Sequence, residues 1–204
     1  MPRSVARFLF LALCAVSSAL LADPPRINWT GNFARCDSHA ELLKRDSMSL
    51  GVRLSTANPA VAREFKRAMD FWAGIIDMSW HEDRTSSCAV ELVDGTPAIL
   101  QHAVVARAQF TEWQNFEGWI AFDPRAPLTK TEMYLTAVHE IGHMLGLRHN
   151  PNPNSVMYYI DLEGPEVLDS FDLKSLSARH TLRLDVNRAP IPVNSRSALR
   201  NASR

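Results

Sequence analysis

The segment that decides the fold runs from residue 139 to residue 149 and reads His-Glu-Ile-Gly-His-Met-Leu-Gly-Leu-Arg-His. His139 and His143 are one helical turn apart, so both imidazoles leave the same helix face and can bind one cation. Gly146 can end that helix, because glycine adopts positive φ without steric penalty, and His149 can then approach from the other side. Three neutral histidines leave one position of a tetrahedral zinc open, which is typical of a catalytic site.

Glu140 follows the first predicted ligand directly, so its carboxylate should lie beside the metal rather than on it. Zinc makes a coordinated water more acidic, and Glu140 can accept the proton as the general base of a hydrolysis. The pattern H-E-x-x-H alone can occur by chance on a surface helix. Here it extends to a glycine and a third histidine, so the sequence predicts one catalytic zinc ion.

The rest of the chain predicts one α+β domain around this helix. Four strands are predicted, at residues 50–54, 88–92, 104–110 and 119–122. Apolar residues recur at every second position in the first three, and the fourth is a short apolar run. One helix should follow an N-cap at Asn58. The metal-binding helix should begin at the capping box formed by Thr129 and Glu132 and end near Leu145, and a last helix is predicted around residues 171–182.

The N-terminus has the features of a signal peptide. Arg3 and Arg7 precede an apolar run that is too short to span a bilayer, and small residues lead to Ala22. We therefore predict export to the extracellular space or the periplasm without a stable membrane anchor. The expected parts of the chain are a signal peptide at 1–22, a lead-in segment at 23–47, the catalytic domain at 48–182 and a flexible tail at 183–204.

Charge and cysteine content restrict the partners. The 22 lysines and arginines balance the 22 aspartates and glutamates, so no net field favours nucleic acid. We expect a monomer, and the kind of partner has to be inferred from the site. Cys36 and Cys88 remain after removal of the signal peptide. A single cysteine pair in an exported protein favours a disulfide, and the alternative is that Cys36 caps the zinc.

These residues resemble the metzincin zinc metallopeptidases, and among them the matrixin group, peptidase family M10. Ser155-Val156-Met157-Tyr158 resembles the Met-turn of that clan, and Met157 lies eight residues after His149. The resemblance implies a zincin-like fold with a twisted mixed β-sheet and long helices, one of which binds zinc. It also implies a zinc-dependent endopeptidase in which Met157 packs beneath the metal without ligating it.

Two further roles follow from the resemblance as hypotheses. The segment from Gly118 to Phe122 occupies the place of an edge strand, so Gly118, Trp119 and Ile120 would bind substrate; an ordinary core strand is the alternative. Tyr159 stands where matrixins usually have proline and where the astacin and serralysin groups place a tyrosine near the metal. Its hydroxyl would help to stabilise the oxyanion, and the alternatives are a buried aromatic or a pocket wall.

Two other interpretations of the zinc site are possible. One is a non-catalytic zinc-containing module that binds peptides or proteins, whose hallmark would be a replaced glutamate; Glu140 argues against it. The other is a zinc hydrolase that acts on a different kind of bond, against which only the family resemblance argues. Loops that bind a structural zinc or calcium in matrix metalloproteinases are not recognisable here, so one zinc ion is expected and calcium is left open.

Overall fold

The computed structural model describes residues 48–86, 89–100, 105–110, 117–158 and 166–193. Its main sheet has five strands, β1 to β5: Met48–Ser55, Met78–Glu82, Ala89–Asp94, Ala106–Phe110 and Glu117–Phe122. The strand order is β2-β1-β3-β5-β4. All pairs are parallel except β4 with β5, which is antiparallel. The predicted mixed sheet and α+β fold are confirmed.

Helix α1, Pro59–Ile75, begins as its sequence predicts. The Asn58 side chain accepts hydrogen bonds from the backbone N–H groups of Ala60 and Val61, and proline occupies the first helical position. The apolar residues of α1 recur every three or four positions and are buried against the sheet and the metal-binding helix. A short helix, α2, spans Pro97–Leu100.

The metal-binding helix is α3, Lys130–Met144. Both hydrogen bonds of the predicted capping box are present, from the Glu132 backbone to the Thr129 hydroxyl and from the Thr129 backbone to the Glu132 carboxylate. α3 packs along α1, and the Trp72 indole of α1 donates to the carbonyl of Val138, 3.1 Å away. This bond fixes the position of α3 one residue before its first histidine.

A smaller C-terminal part completes the fold. It contains β6, Val167–Leu168, helix α4, Ser170–Ser177, and β7, Ile191–Pro192, which pairs antiparallel with β6. The structure differs here from the first part of the predicted flexible tail at 183–204, and residues 194–204 lie outside the described residues. A 3₁₀ turn at Val186–Arg188 and buried Ile191 and Val193 show that residues 183–193 pack on the domain.

The predicted edge strand is also wrong. The segment containing Gly118, Trp119 and Ile120 forms β5, which is hydrogen-bonded to β3 on one side and to β4 on the other. Both rows of its backbone groups are therefore used within the sheet, and the alternative of a core strand is correct. The outermost strand on this side of the described sheet is β4. Within the described residues, no helix combines the length and apolarity that crossing a bilayer requires.

Candidate metal centre

Two ring nitrogens of the α3 histidines are held by backbone carbonyls. His139 Nδ1 lies 2.7 Å from the carbonyl oxygen of Val156, and His143 Nδ1 lies 2.9 Å from that of Leu147. A carbonyl oxygen only accepts hydrogen bonds, so both Nδ1 atoms carry the proton and donate it. In a neutral imidazole this leaves the Nε2 lone pair available for a metal.

The three predicted ligands converge through their Nε2 atoms. His143 Nε2 lies 3.0 Å from His139 Nε2 and 3.2 Å from His149 Nε2. A tetrahedral zinc with nitrogens at about 2.0–2.1 Å separates neighbouring ligand nitrogens by about 3.3–3.4 Å, which matches this spacing. The contact between His139 and His143 is not a hydrogen bond, because both Nε2 atoms lack a proton. Two lone pairs facing each other at 3.0 Å repel unless a cation lies between them, so the donor set fits a zinc ion.

The reversal of the chain after α3 brings His149 to this point. Gly146 has φ 95°, Gly146 N–H donates to the His143 carbonyl, and Leu147 N–H donates to the Gly142 carbonyl. These bonds form a Schellman motif, which satisfies the last carbonyls of the helix. The predicted role of Gly146 is confirmed by its positive φ. The same reversal places the Leu147 carbonyl where it receives the proton of His143 Nδ1.

Burial favours the neutral form of all three histidines. It is the main cause that lowers the pKa of His139 to about 4, and the positive charge of a protonated His149 would add to the effect. It likewise holds the pKa of His143 well below its usual value, and partial burial lowers the pKa of His149. Neutral imidazoles are the form that binds a metal ion.

The lowered pKa of His139 predicts how the stability of the metal-free protein depends on pH. The unfolded chain binds a proton at His139 below about pH 6.5, whereas the folded chain binds it only below about pH 4. The metal-free protein should therefore lose stability as the pH falls through this window. Melting temperatures of the metal-free protein across the window measure the loss. The loss of stability should be smaller in the metal-free His139→Gln variant than in the metal-free parent protein. An equal loss in these two proteins would contradict the prediction.

Glu140 lies on the side of α3 that faces β4. Its side chain is buried, with 8% exposed, and accepts a hydrogen bond from the backbone N–H of Ala108. Burial raises the pKa of Glu140 to about 7, opposed by that hydrogen bond and by the positive charge of Arg107. A divalent cation at the histidines would lower this pKa again. The carboxyl group of Glu140, the residue after His139, is thus held at Ala108 of β4 in a site where its pKa is close to neutral pH.

Met157 lies directly against the metal-binding helix. It is completely buried, and a Cβ atom added at Gly142 would lie 2.6 Å from Met157 Sδ and 3.2 Å from the Trp72 ring. Glycine at position 142 therefore lets the Met-turn, residues 155–158, approach α3 between the two turns that carry the histidines. Met157 thus packs against the metal-binding helix, and its position beneath a bound metal stays a prediction.

Gly142→Ala should destabilise the protein. The new methyl group would overlap Met157 Sδ and press on the Trp72 ring, and both side chains are fully buried, so the core must repack, which typically costs about 1–3 kcal/mol of unfolding free energy. This exceeds the gain of up to about 1 kcal/mol that alanine offers in a helix. Urea unfolding measures the net effect. In a Met157→Ala background the same substitution should cost less, and equal costs in the two backgrounds would refute the overlap.

A buried polar network that was not predicted fixes the Met-turn to α4. Asp172 accepts hydrogen bonds from the Ser155 hydroxyl at 2.7 Å and the Asn150 amide at 2.9 Å. Ser155 Oγ in turn accepts from the backbone N–H of Met157. Burial raises the pKa of Asp172, and these donors oppose the rise. The only sequence signal was the Asp169-x-x-Asp172 spacing of a capping box, which does not reveal the contacts with Ser155 and Asn150.

Three predicted residues lie outside the described residues: Tyr159, Cys36 and Cys88. The hypotheses of an oxyanion donor and of a disulfide therefore stay predictions. Of the remaining site residues, the structure brings together His139, His143 and His149. Glu140 contacts Ala108 of β4, and Met157 packs against α3 at Gly142. Gly118, Trp119 and Ile120 belong to the interior strand β5 instead.

Comparison with known proteins agrees with this geometry. The sequence profile of the matrixin family, peptidase family M10, matches residues 52–177, which is 126 of the 204 residues. Similar proteins include macrophage metalloelastase of Rattus norvegicus, 29% identical over 46% of this chain and 22% of the relative. Matrix metalloproteinase-26 of Homo sapiens is 26% identical over 48% of this chain and 42% of the relative.

A plant protein shows a similar level of likeness. Metalloendoproteinase 4-MMP of Arabidopsis thaliana is 29% identical over 48% of this chain and 33% of the relative. In all three relatives the aligned part is less than half of the relative's own length. The family match covers more than half of this chain and includes the histidine cluster and the Met-turn. The chain therefore belongs to the matrixin family.

Proposed function

We propose that the chain is a zinc-dependent endopeptidase that hydrolyses peptide bonds in protein or peptide substrates. His139, His143 and His149 would hold the metal through Nε2. The observation that carries the proposal is the pair of unprotonated Nε2 atoms facing each other at 3.0 Å, with a buried carboxyl group on the next residue. Zinc, when bound, supplies Lewis acidity, which polarises a carbonyl oxygen and makes water a stronger acid.

Glu140 would act as the general base. Its carboxylate takes a proton from the attacking water and afterwards passes the proton to the leaving amine. The Ala108 N–H orients the Glu140 carboxylate. Because Glu140 is buried, bulk water does not compete for hydrogen bonds to this carboxylate. No covalent intermediate with the protein is needed, because water is the nucleophile.

We propose the outer side of β4 as the place where substrate backbone binds. In the described sheet β4 pairs only with β5, and its residue Ala108 contacts Glu140. An extended peptide that added to this strand would pass beside the carboxylate and the histidine cluster. This assignment replaces Gly118, Trp119 and Ile120, whose strand is paired on both sides.

Tyr159 is proposed as a further donor to the oxyanion on the basis of its position two residues after Met157. A phenol that donates to developing negative charge stabilises the transition state more than the bound substrate. Tyr159→Phe should then lower kcat with little change in KM. An unchanged kcat would exclude the catalytic role.

Export of the mature chain, with a disulfide between Cys36 and Cys88, also belongs to the proposal. The arginines, apolar run and small residues before Ala22 support it. The expected substrates are therefore proteins or peptides outside the cytoplasm.

The decisive experiment incubates the purified chain with a diverse peptide library, with and without a zinc chelator. We expect cleavage within the peptides that stops when the chelator is added and returns when zinc is restored. Cleavage that is insensitive to chelation would contradict the metal mechanism. Zinc uptake without any cleavage would contradict the endopeptidase and favour a binding module.

A further inference from the structure

The residues that follow α4 extend beyond the family match and return to the metal site. The match ends at residue 177, whereas the described chain continues to residue 193. We call residues 180–193 the C-terminal strap. It contacts the end of α1, the C-terminal end of α3, Tyr134 within α3 and, through β6, the Met-turn. These contacts are made by residues that lie outside the matched family region.

The first part of the strap fixes the ends of two helices. His180 Nε2 lies 2.8 Å from the carbonyl of Leu145 and donates to it, because that oxygen can only accept. Leu145 lies two residues after His143. The backbone of Arg183 donates to Ile75 at the end of α1, and its guanidinium lies 3.1 Å from Asp77. This part therefore ties α1 to the metal-binding helix.

The last part of the strap supports the Met-turn through one intermediate strand. β7 pairs with β6, and the Val193 N–H donates to the carbonyl of Glu166. β6 in turn holds the Met-turn, because Val156 N–H donates to the carbonyl of Val167, 2.9 Å away. The carbonyl of the same Val156 receives the Nδ1 proton of His139. Hydrogen bonds thus connect the end of the strap to the first predicted ligand through β6 and Val156, and the last of them is donated by the His139 ring.

A buried side chain of α3 closes this series. The Tyr134 hydroxyl donates to the carbonyl of Val193 at 3.1 Å, and Tyr134 lies five residues before His139. The backbone of Val193 is therefore bound on both sides, by Glu166 through its N–H and by Tyr134 through its carbonyl. Both Ile191 and Val193 are buried in the core.

We propose that the C-terminal strap is a positioning element for the metal site, and that its strand β7 keeps the Val156 carbonyl where it orients His139. The inference rests on the proposed zinc site. Loss of an outer partner of a ligating histidine typically weakens metal binding by about 10- to 100-fold. β7 acts through β6 and the Met-turn, so we expect the lower end of that range.

The test compares three proteins: the full chain, a chain that ends at Ser197 and a chain that ends at Ala189. Zinc affinity is measured by competition with a chelator of known affinity. The chain that ends at Ser197 keeps β7 and the amide carbonyl of Val193, so it should bind zinc like the full chain. The chain that ends at Ala189 lacks β7 and should bind zinc about tenfold more weakly. Equal affinities of the two folded truncated chains would overturn the inference.

If the shorter chain does not fold, a point variant of the full-length chain tests the same inference. Tyr134→Phe removes only the hydroxyl that holds Val193, and it should weaken zinc binding in the same direction but less. Its control is Val61→Ala, which removes buried surface in the first turn of α1 and should lower the melting temperature without changing zinc affinity. Equal zinc affinities of Tyr134→Phe and the full chain would also overturn the inference. A full chain that binds no zinc would refute the metal site itself.

Discussion

Glu140→Gln should lower kcat by about 10²- to 10⁴-fold while zinc binding and the melting temperature stay close to those of the parent protein. Glutamine has nearly the same shape as glutamate, and its carbonyl oxygen can still accept the Ala108 N–H. It cannot take a proton from water near neutral pH. The substitution therefore removes the proposed base and leaves the packing between α3 and β4 in place.

The matched control for this variant is Glu132→Gln on the same helix. Glu132 is exposed and completes the capping box at the start of α3, where glutamine serves equally well. This control should keep both stability and turnover. If Glu140→Gln cleaved peptides as fast as the control, Glu140 would not be the base. If neither the parent nor the control cleaved peptides while both bound zinc, the non-catalytic module would be the better interpretation.

The parts of the fold that the sequence predicts are those whose signals are local. Asn58 and Thr129 cap their helices through groups two or three residues away, so their patterns are visible along the chain. The histidine cluster is also encoded locally, because the helical period and the Gly146 reversal act within eleven residues. The spacing of the motif therefore predicted a geometry that the structure reproduces.

The parts that the sequence could not predict depend on pairing between distant segments. The apolar run of β5 is compatible with an edge or a central strand, and only its pairing with β3 and β4 decides between them. Strand β2 was not predicted, because it is short and largely exposed and therefore has no clear alternation of apolar and polar residues. The C-terminal strap contains two prolines near its end and scattered charges, and this composition favours a flexible tail. The strap is held in place by the pairing of β7 with β6 and by the hydrogen bond from Tyr134.

His143→Ala should have the second large effect, because His143 is the central member of the cluster and lies near both other ligands. The variant should lose tight zinc binding and all zinc-dependent cleavage. Zinc at about 100 times its dissociation constant should stabilise the parent protein by about 2.7 kcal/mol relative to its metal-free form. The variant should show no such gain. Melting curves with and without zinc measure the difference directly.

Comparison within each protein separates the lost ligand from lost packing. Removing a buried imidazole also leaves a cavity, so the metal-free variant will be less stable than the metal-free parent. That loss of stability is present both with and without zinc, so it cancels when the melting temperatures of one protein with and without zinc are subtracted. His81→Ala is the matched control, since His81 is half exposed on β2 and its loss should leave the zinc shift intact. A His143→Ala protein that kept the full zinc shift would place the metal elsewhere, because two histidines cannot replace the site that three Nε2 atoms form.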